Sequence, residues 1–245
     1  MTFSTNFSPV NIAVIGASGG IGHAFVEHYT KNADVQCIYA TSRSGGVTAG
    51  HKVQSLHIDI QNEESLKTAV KKIKPQSLDL CIIATGALHD DDIAPEKKFE
   101  ALNIEKMQQI FAVNTFGPAM VMKYFIPLMR RDRKSVMAFL SARLGSIGDN
   151  RLGGWYSYRA SKAGLNMLIK TAAIEMSRRA PEMQIIGLHP GTVNTGLSKP
   201  FHNSVPAEKL FSPAYAVTQM DKIMHAVTAA DSGRIFAWDG QEITP

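Results

Sequence analysis

Tyr158 and Lys162, in the run Tyr158-Arg-Ala-Ser-Lys162, stand four residues apart. On a helix that spacing puts both on one face, so the ammonium can sit beside the phenol. A free tyrosine has a pKa of about 10 and is a poor proton donor or acceptor at neutral pH. A fixed positive charge nearby favours the phenolate and brings the group towards the range useful for acid–base work. Tyr156 lies next to the motif but has Ala160 four positions on, so no cation supports it. It reads as a packing or pocket-lining residue.

The tyrosine lacks a hydride carrier, and a glycine loop far upstream, Gly16-Ala-Ser-Gly-Gly-Ile-Gly22, offers a place for one. The loop follows the apolar run Asn11–Ile15 and precedes Ile21, Phe25 and Tyr29 at helical spacing, which is strand, tight turn, helix. Backbone N–H groups at such a helix start can hold a pyrophosphate. Gly16 permits the turn, Gly20 and Gly22 permit close approach, and Ser18 and Ile21 complete the loop. After a second strand, Val35–Ala40, come Thr41, Ser42, Arg43 and Ser44, with no carboxylate. Ser42 and Arg43 can hydrogen-bond a 2′-phosphate, which favours NADP(H) over NAD(H). Asp59, followed by Ile60, ends a third strand, where it can accept from an adenine amino group. Thr85 and Gly86 end the fourth among small residues, where an adenosine can lie against the backbone.

These residues need elements to place them. Strands are expected at Val53–Ile58, Leu78–Ala84, Ser135–Leu140, Gln184–Leu188 and Arg234–Trp238. Helices are expected at Glu63–Ile73, Ile104–Met129, Tyr158–Arg179 and Ala214–Val227, the last capped by Ser212 with Pro213 in its first turn. Strands alternate with helices, and the strands are almost continuously apolar. The expected class is α/β, one doubly wound domain over residues 1–245, with a parallel sheet flanked by helices on both faces.

The 245 residues are 44% hydrophobic, enough for a full core, and carry a formal charge of +5. The one basic cluster, Arg130-Arg-Asp-Arg-Lys134, reads as a solvated helix end and not as a nucleic-acid patch, since no aromatic residues interleave it. Cys37 and Cys81 sit in apolar runs as packed thiols of a reducing compartment. Met1–Val10 lacks a secretory pattern and no apolar run is long enough to span a bilayer, so a soluble cytoplasmic protein without membrane partners is expected. No metal site is expected. His89 with Asp90-Asp-Asp92 reads as a solvated loop, and His189 as structural. Met120, Met122 and Met129 read as a helix-packing surface, within the chain or between subunits.

Taken in order, Gly16–Gly22, Asp59, Thr85-Gly86-Ala87, Asn114, a serine after the fifth strand, Tyr158 with Lys162, and Pro190-Gly191 resemble the short-chain dehydrogenase/reductase family over nearly the whole chain. More narrowly, Gly145–Lys162 resembles sniffer-type carbonyl reductases and bacterial C-factor proteins. The resemblance implies a Rossmann-type fold and a reductase that interconverts a small carbonyl compound and a secondary alcohol, commonly as a homodimer or homotetramer. A dinucleotide-binding signalling or regulatory protein of C-factor type is the alternative. The resemblance further implies that Tyr158 exchanges the proton and that Lys162 also binds the nicotinamide ribose. Asn114 would position a relay water, and a serine would hold the carbonyl oxygen. Pro190, Gly191, Thr192, Val193 and Thr195 would lie along the nicotinamide and phosphates.

The serine departs from the family pattern. Counting three back from Gly145 lands on Ala142, which has no hydroxyl. Ser141 ends the strand and is the favoured candidate, with Ser146 as its rival. Leu144, Trp155, Leu197 and Phe201 are expected to shape an apolar pocket, and residues 196–212 a lid. Pro118 cannot donate to the carbonyl of Asn114, four residues back, so it is expected either to leave that carbonyl free for the relay water or to be a tolerated kink.

Overall fold

The computed structural model describes residues 9–47, 50–90 and 92–244. Residues 1–8, most of the segment read for a secretory pattern, and Asp91 of the acidic run lie outside the described residues.

The strands are β1 (Val10–Ile15), β2 (Val35–Ser42), β3 (Val53–His57), β4 (Leu80–Ile83), β5 (Ser135–Leu140), β6 (Met183–His189), β7 (Thr192–Val193), β8 (Leu210–Phe211) and β9 (Ile235–Ala237). Seven of them form one sheet in the order β3-β2-β1-β4-β5-β6-β9, every pairing parallel, while β7 and β8 pair separately. β4 and β5 are buried at every position, as strands covered on both faces must be. The helices are α1 (Gly20–Thr30), α2 (Glu63–Val70), α3 (Ile104–Phe111), α4 (Gly117–Phe125), α5 (Tyr156–Arg179) and α6 (Pro213–Ala226).

Each sheet face has its own core. On one, Leu66 of α2, Val121 and Phe125 of α4, and Leu165 and Ile169 of α5 pack with Ile15, Cys81 and Phe139. On the other, Phe25 and Tyr29 of α1 and Val217 and Met220 of α6 pack with Ile12, Val14 and Ile82. Burying each such side chain contributes roughly 1.5–3 kcal/mol. Asn62, Asn103 and Ser212 cap α2, α3 and α6 through their side chains. Strand order reverses between β1 and β4, which opens a crevice beyond their carboxyl ends, the usual ligand position in such sheets.

Two expectations change and a third, the methionine packing surface, narrows to this chain. The segment expected as one helix, Ile104–Met129, divides into α3, a π turn at Ala112–Phe116, α4 and a 3-10 turn at Ile126–Leu128. Pro118 is the reason: it has no N–H to give, and the Gly117 N–H bonds instead to Ala112, five residues back. Met122 and Met129 lie in the core and Met120 packs against it, so they serve this chain's own interior. The basic cluster is no solvated helix end. Arg130 and Arg133 pair with the buried Asp79 at 3.1 and 2.6 Å, and Lys134 donates to the carbonyls of His225 and Val227 at the end of α6. Among the described residues no helix is long and apolar enough to cross a membrane.

Candidate active site

A cleft of about 510 Å³ lies beyond β1 and β4. Ser42, Arg43 and Asp59 line one end, Gly16, Ser18, Thr85 and Gly86 the middle, and Ala87, His89 and Leu197 the other. Gly16 has φ +85°, and its N–H and that of Ala17 donate to Thr41 O at 3.1 and 2.8 Å. A Cβ on Gly22 would stand 2.2 Å from Gly16 O, so Gly22 closes the turn on itself. A Cβ on Gly20 would meet Thr195 Cγ2 at 2.7 Å, so the segment carrying Thr192 and Thr195 faces the loop. Helix α1 starts after Gly19 with no side-chain cap and no acid in its first turn, which suits an anion.

Thr85 Oγ1 is buried without a hydrogen-bond partner, and Arg43 is exposed at the rim with no carboxylate partner among the described residues. An uncapped helix start, a buried orphan hydroxyl and an unpaired guanidinium together fit a phosphorylated nucleotide. Other expected residues contribute less directly. Ser42 Oγ accepts from Gly45 N at 3.0 Å. Asp59 accepts from Gln61 N, 2.9 Å away. Ile60 packs on the helix at Gly117, while Ile21 and Val193 turn into the core side of their segments. Pro190 is buried at the end of β6, and Gly191 takes φ +76° against Phe211 and Trp238.

Tyr158 and Lys162 do share a face of α5, and both are buried. Lys162 Nζ lies 5.9 Å from the Tyr158 ring centroid and donates to Leu140 O at 2.8 Å. A Cβ on Gly86 would be 3.8 Å from that Nζ, so Lys162 lies directly behind the Gly86 stretch of the cleft wall. Their titration differs from the expectation. Burial pushes the phenol up to about 12 and the ammonium down to about 8, because the desolvated site disfavours both charged forms. Asn114 is fully buried. Its Oδ1 accepts from Ala87 N and its Nδ2 donates to Ala87 O, both at 2.8 Å, and to Ser161 Oγ. With the side chain thus engaged, a relay water would be left the backbone carbonyl, in the π turn next to Pro118.

Both candidate serines spend their hydroxyls on other partners. Ser141 continues the ladder to Leu188 O, and its Oγ donates to Asn166 Oδ1 at 2.6 Å. Ser146 Oγ accepts from Asp149 N at 3.0 Å and donates to Thr244 O. Ala142 is the residue packed with Tyr158, in a small cluster with Leu88. Successive residues at a strand end point to opposite sides, so only one of 141 and 142 can face the tyrosine.

Leu144, Trp155 and Phe201 pack against the same cluster, as expected of the pocket. Residues 196–212 carry short 3-10 turns, and Phe201 there lies 4.8 Å from the Trp155 ring. His89 Nε2 meets the carbonyls of Gly196 and Leu197, tying the two sides of the mouth. Burial, with Arg143 nearby, lowers the His189 imidazole to about 4. Tyr156 is 39% exposed. Among the described residues no group of His, Cys, Asp or Glu is placed to hold a metal ion. Glu96, buried against the start of α5, was not foreseen: it sits in an irregular segment with no pattern to single it out.

A family model described as short chain dehydrogenase matches residues 10–205. The 1-hydroxy-2-glutathionyl-2-methyl-3-butene dehydrogenase of Rhodococcus sp. (strain AD45) is 28% identical over 233 residues, covering 94% of this chain and 96% of its own. C-signal of Myxococcus xanthus is 31% identical over 137 residues, covering 56% of this chain and 77% of its own. Among solved structures, an NADPH-bound carbonyl reductase from chicken fatty liver has a TM-score of 0.85 at 21% identity, over 99% of this chain and 97% of that one. The carbonyl reductase Sniffer of D. melanogaster has 0.83 at 19%, over 98% and 100%. At these identities the structures show the same fold.

Proposed function

Since this chain belongs to the short-chain dehydrogenase family, and is thereby an NAD(P)-dependent oxidoreductase, we propose that it is an NADP(H)-preferring carbonyl reductase with Tyr158 as its acid–base residue. The observation that carries this reading is the buried Tyr158–Lys162 pair, with Lys162 behind Gly86 of a cleft that also holds Arg43, which has no carboxylate partner among the described residues. Gly16–Gly22 and Thr195 would hold the phosphates, Asp59 the adenine and Arg43 a 2′-phosphate. A dinucleotide bound there would supply hydride for the carbonyl carbon. Tyr158, kept as a neutral phenol by burial, donates its Oη proton to the substrate oxygen as the carbonyl becomes an alcohol. Lys162 would stabilise the phenolate left behind and return a proton, drawn through a water held at the Asn114 carbonyl.

The serine expected to steady the oxygen is absent from this scheme. Ser141 is bonded to Asn166, and Ala142 occupies the place beside the phenol. Leu88, Leu144, Trp155 and Phe201 exclude water there and favour an apolar carbonyl substrate.

Ala142 also favours a second reading, a dinucleotide-binding regulatory protein with weak activity. A panel of aldehydes and ketones with NADPH, using Tyr158→Phe as control, separates the two. Turnover abolished by Tyr158→Phe supports the reductase, while tight NADPH binding without turnover of any member supports the regulatory protein.

A further inference from the structure

Among the described residues four charged side chains are buried: Asp79, Glu96, Lys162 and Asp221. Asp79 has its arginines, Asp221 its histidines and Lys162 the site just described. Glu96 pairs with no cation among the described residues. Its carboxyl oxygens instead accept from the N–H of Ser157 at 3.2 Å and from the Ser157 hydroxyl, and its backbone carbonyl accepts from Trp155 N at 2.5 Å. All three bonds fall on the N-cap residue and first turn of α5, just before Tyr158.

That helix start needs an outside partner. Gly153, Gly154 and Trp155 all take positive φ, at 64°, 66° and 53°. Trp155, the N-cap residue, offers no side-chain cap, and no acid occupies the first turn. A non-glycine residue in this conformation is costly and persists only where its surroundings hold it. Trp155 is also the aromatic residue packed edge-on to Tyr158, with centroids 6.3 Å apart.

We propose that Glu96 is a positioning residue: it caps α5 from the β4–α3 connection and thereby fixes Tyr158 and Trp155 in their working orientation. This rests on Tyr158 being the acid–base residue. Glu96 does not reach the nucleotide cleft, so its loss should disturb the chemical step and not dinucleotide binding.

The test compares Glu96→Ala, Glu96→Gln and Ser157→Ala in the full chain, reading kcat and KM for carbonyl reduction, NADPH affinity by fluorescence, and amide exchange. Glu96→Ala is expected to lower kcat by about tenfold or more, with KM and NADPH affinity changed less than about threefold. Amides of residues 156–160 should exchange about tenfold faster while those of β1 and α1 hold. Glu96→Gln, which keeps an acceptor for the Ser157 N–H, should recover most of both effects, and Ser157→Ala should show a smaller loss of the same kind. A Glu96→Ala kcat within about twofold of the parent overturns the proposal. So does a kcat loss matched by equal loss of NADPH affinity and of protection throughout the chain. Tyr158→Phe with undiminished turnover would instead overturn the assignment of Tyr158, whatever the exchange pattern of α5.

Discussion

Lys162 Nζ stands 5.9 Å from the centre of the Tyr158 ring, anchored by the carbonyl of Leu140. Both side chains are buried, and desolvation moves their pKa values in opposite directions, the phenol up to about 12 and the ammonium down to about 8. At neutral pH the pair is therefore a proton-loaded phenol beside a protonated but easily discharged amine, an arrangement suited to giving a proton.

That arrangement sets a pH dependence. Lys162 is charged below about 8 and loses its proton above it. The rate of carbonyl reduction, as kcat/KM, is expected to hold below pH 8 and to decline above it. A pH–rate profile measured with the carbonyl compound varied checks this, and a flat profile through pH 9 would refute the assigned role of Lys162. Lys162→Ala should cost at least about a hundredfold in kcat, within the range of a positioned acid–base contribution.

Ala142 and Ser141 make a paired prediction. Adding a hydroxyl beside the phenol with Ala142→Ser is expected to raise kcat several-fold, since an added donor can bind the developing oxyanion. Ser141→Ala should leave kcat within about threefold but lower stability by about 1–3 kcal/mol, because buried Asn166 Oδ1 loses its donor. Steady-state kinetics and urea unfolding together decide, and a large kcat loss in Ser141→Ala would restore Ser141 to the mechanism.

Arg43 should govern the choice of dinucleotide. With no carboxylate partner among the described residues, the guanidinium is available for a 2′-phosphate at about 1.5–3 kcal/mol, the scale of a hydrogen bond to a charged group. Arg43→Ala is expected to weaken NADPH binding about 10- to 100-fold and to leave NADH nearly unchanged. Equal losses for both would place Arg43 outside the phosphate site.

On the far side of the sheet, Asp221 of α6 holds α1 through Tyr29 and His28, and also pairs with His225 one turn on along its own helix. Burial alone would raise its carboxyl, but the hydrogen bonds from His225, His28 and Tyr29 outweigh it and hold the group well below its ordinary value. An acid depressed in the folded state adds stability above its unfolded pKa of about 3.9 and loses it as pH falls through the folded value. Asp221→Asn should therefore cost about 1–3 kcal/mol at pH 7 and progressively less as the pH falls below 4. Thermal unfolding across that range measures it.

Much of this protein was legible as a string because the informative features are local. A glycine turn between an apolar run and a helical pattern, or a tyrosine and lysine one turn apart, is defined by neighbours in the chain. Strand alternation and caps such as Ser212 follow from the same short-range rules. What lay beyond reading depends on which side of an element meets which partner. The choice between Ser141, Ser146 and Ala142 turned on the direction of side chains at the end of β5 and on distant groups, Asn166 and Thr244, that take up the two hydroxyls. The titration of Tyr158 and Lys162 was misjudged for the same reason. Spacing on a helix brings a charge near a phenol, but only packing around the helix decides how much water remains, and here burial shifts both groups more than their proximity does. Glu96 is the extreme case, unremarkable among its neighbours and meaningful only once the chain brings it back, sixty-one residues later, to Ser157 at the start of α5.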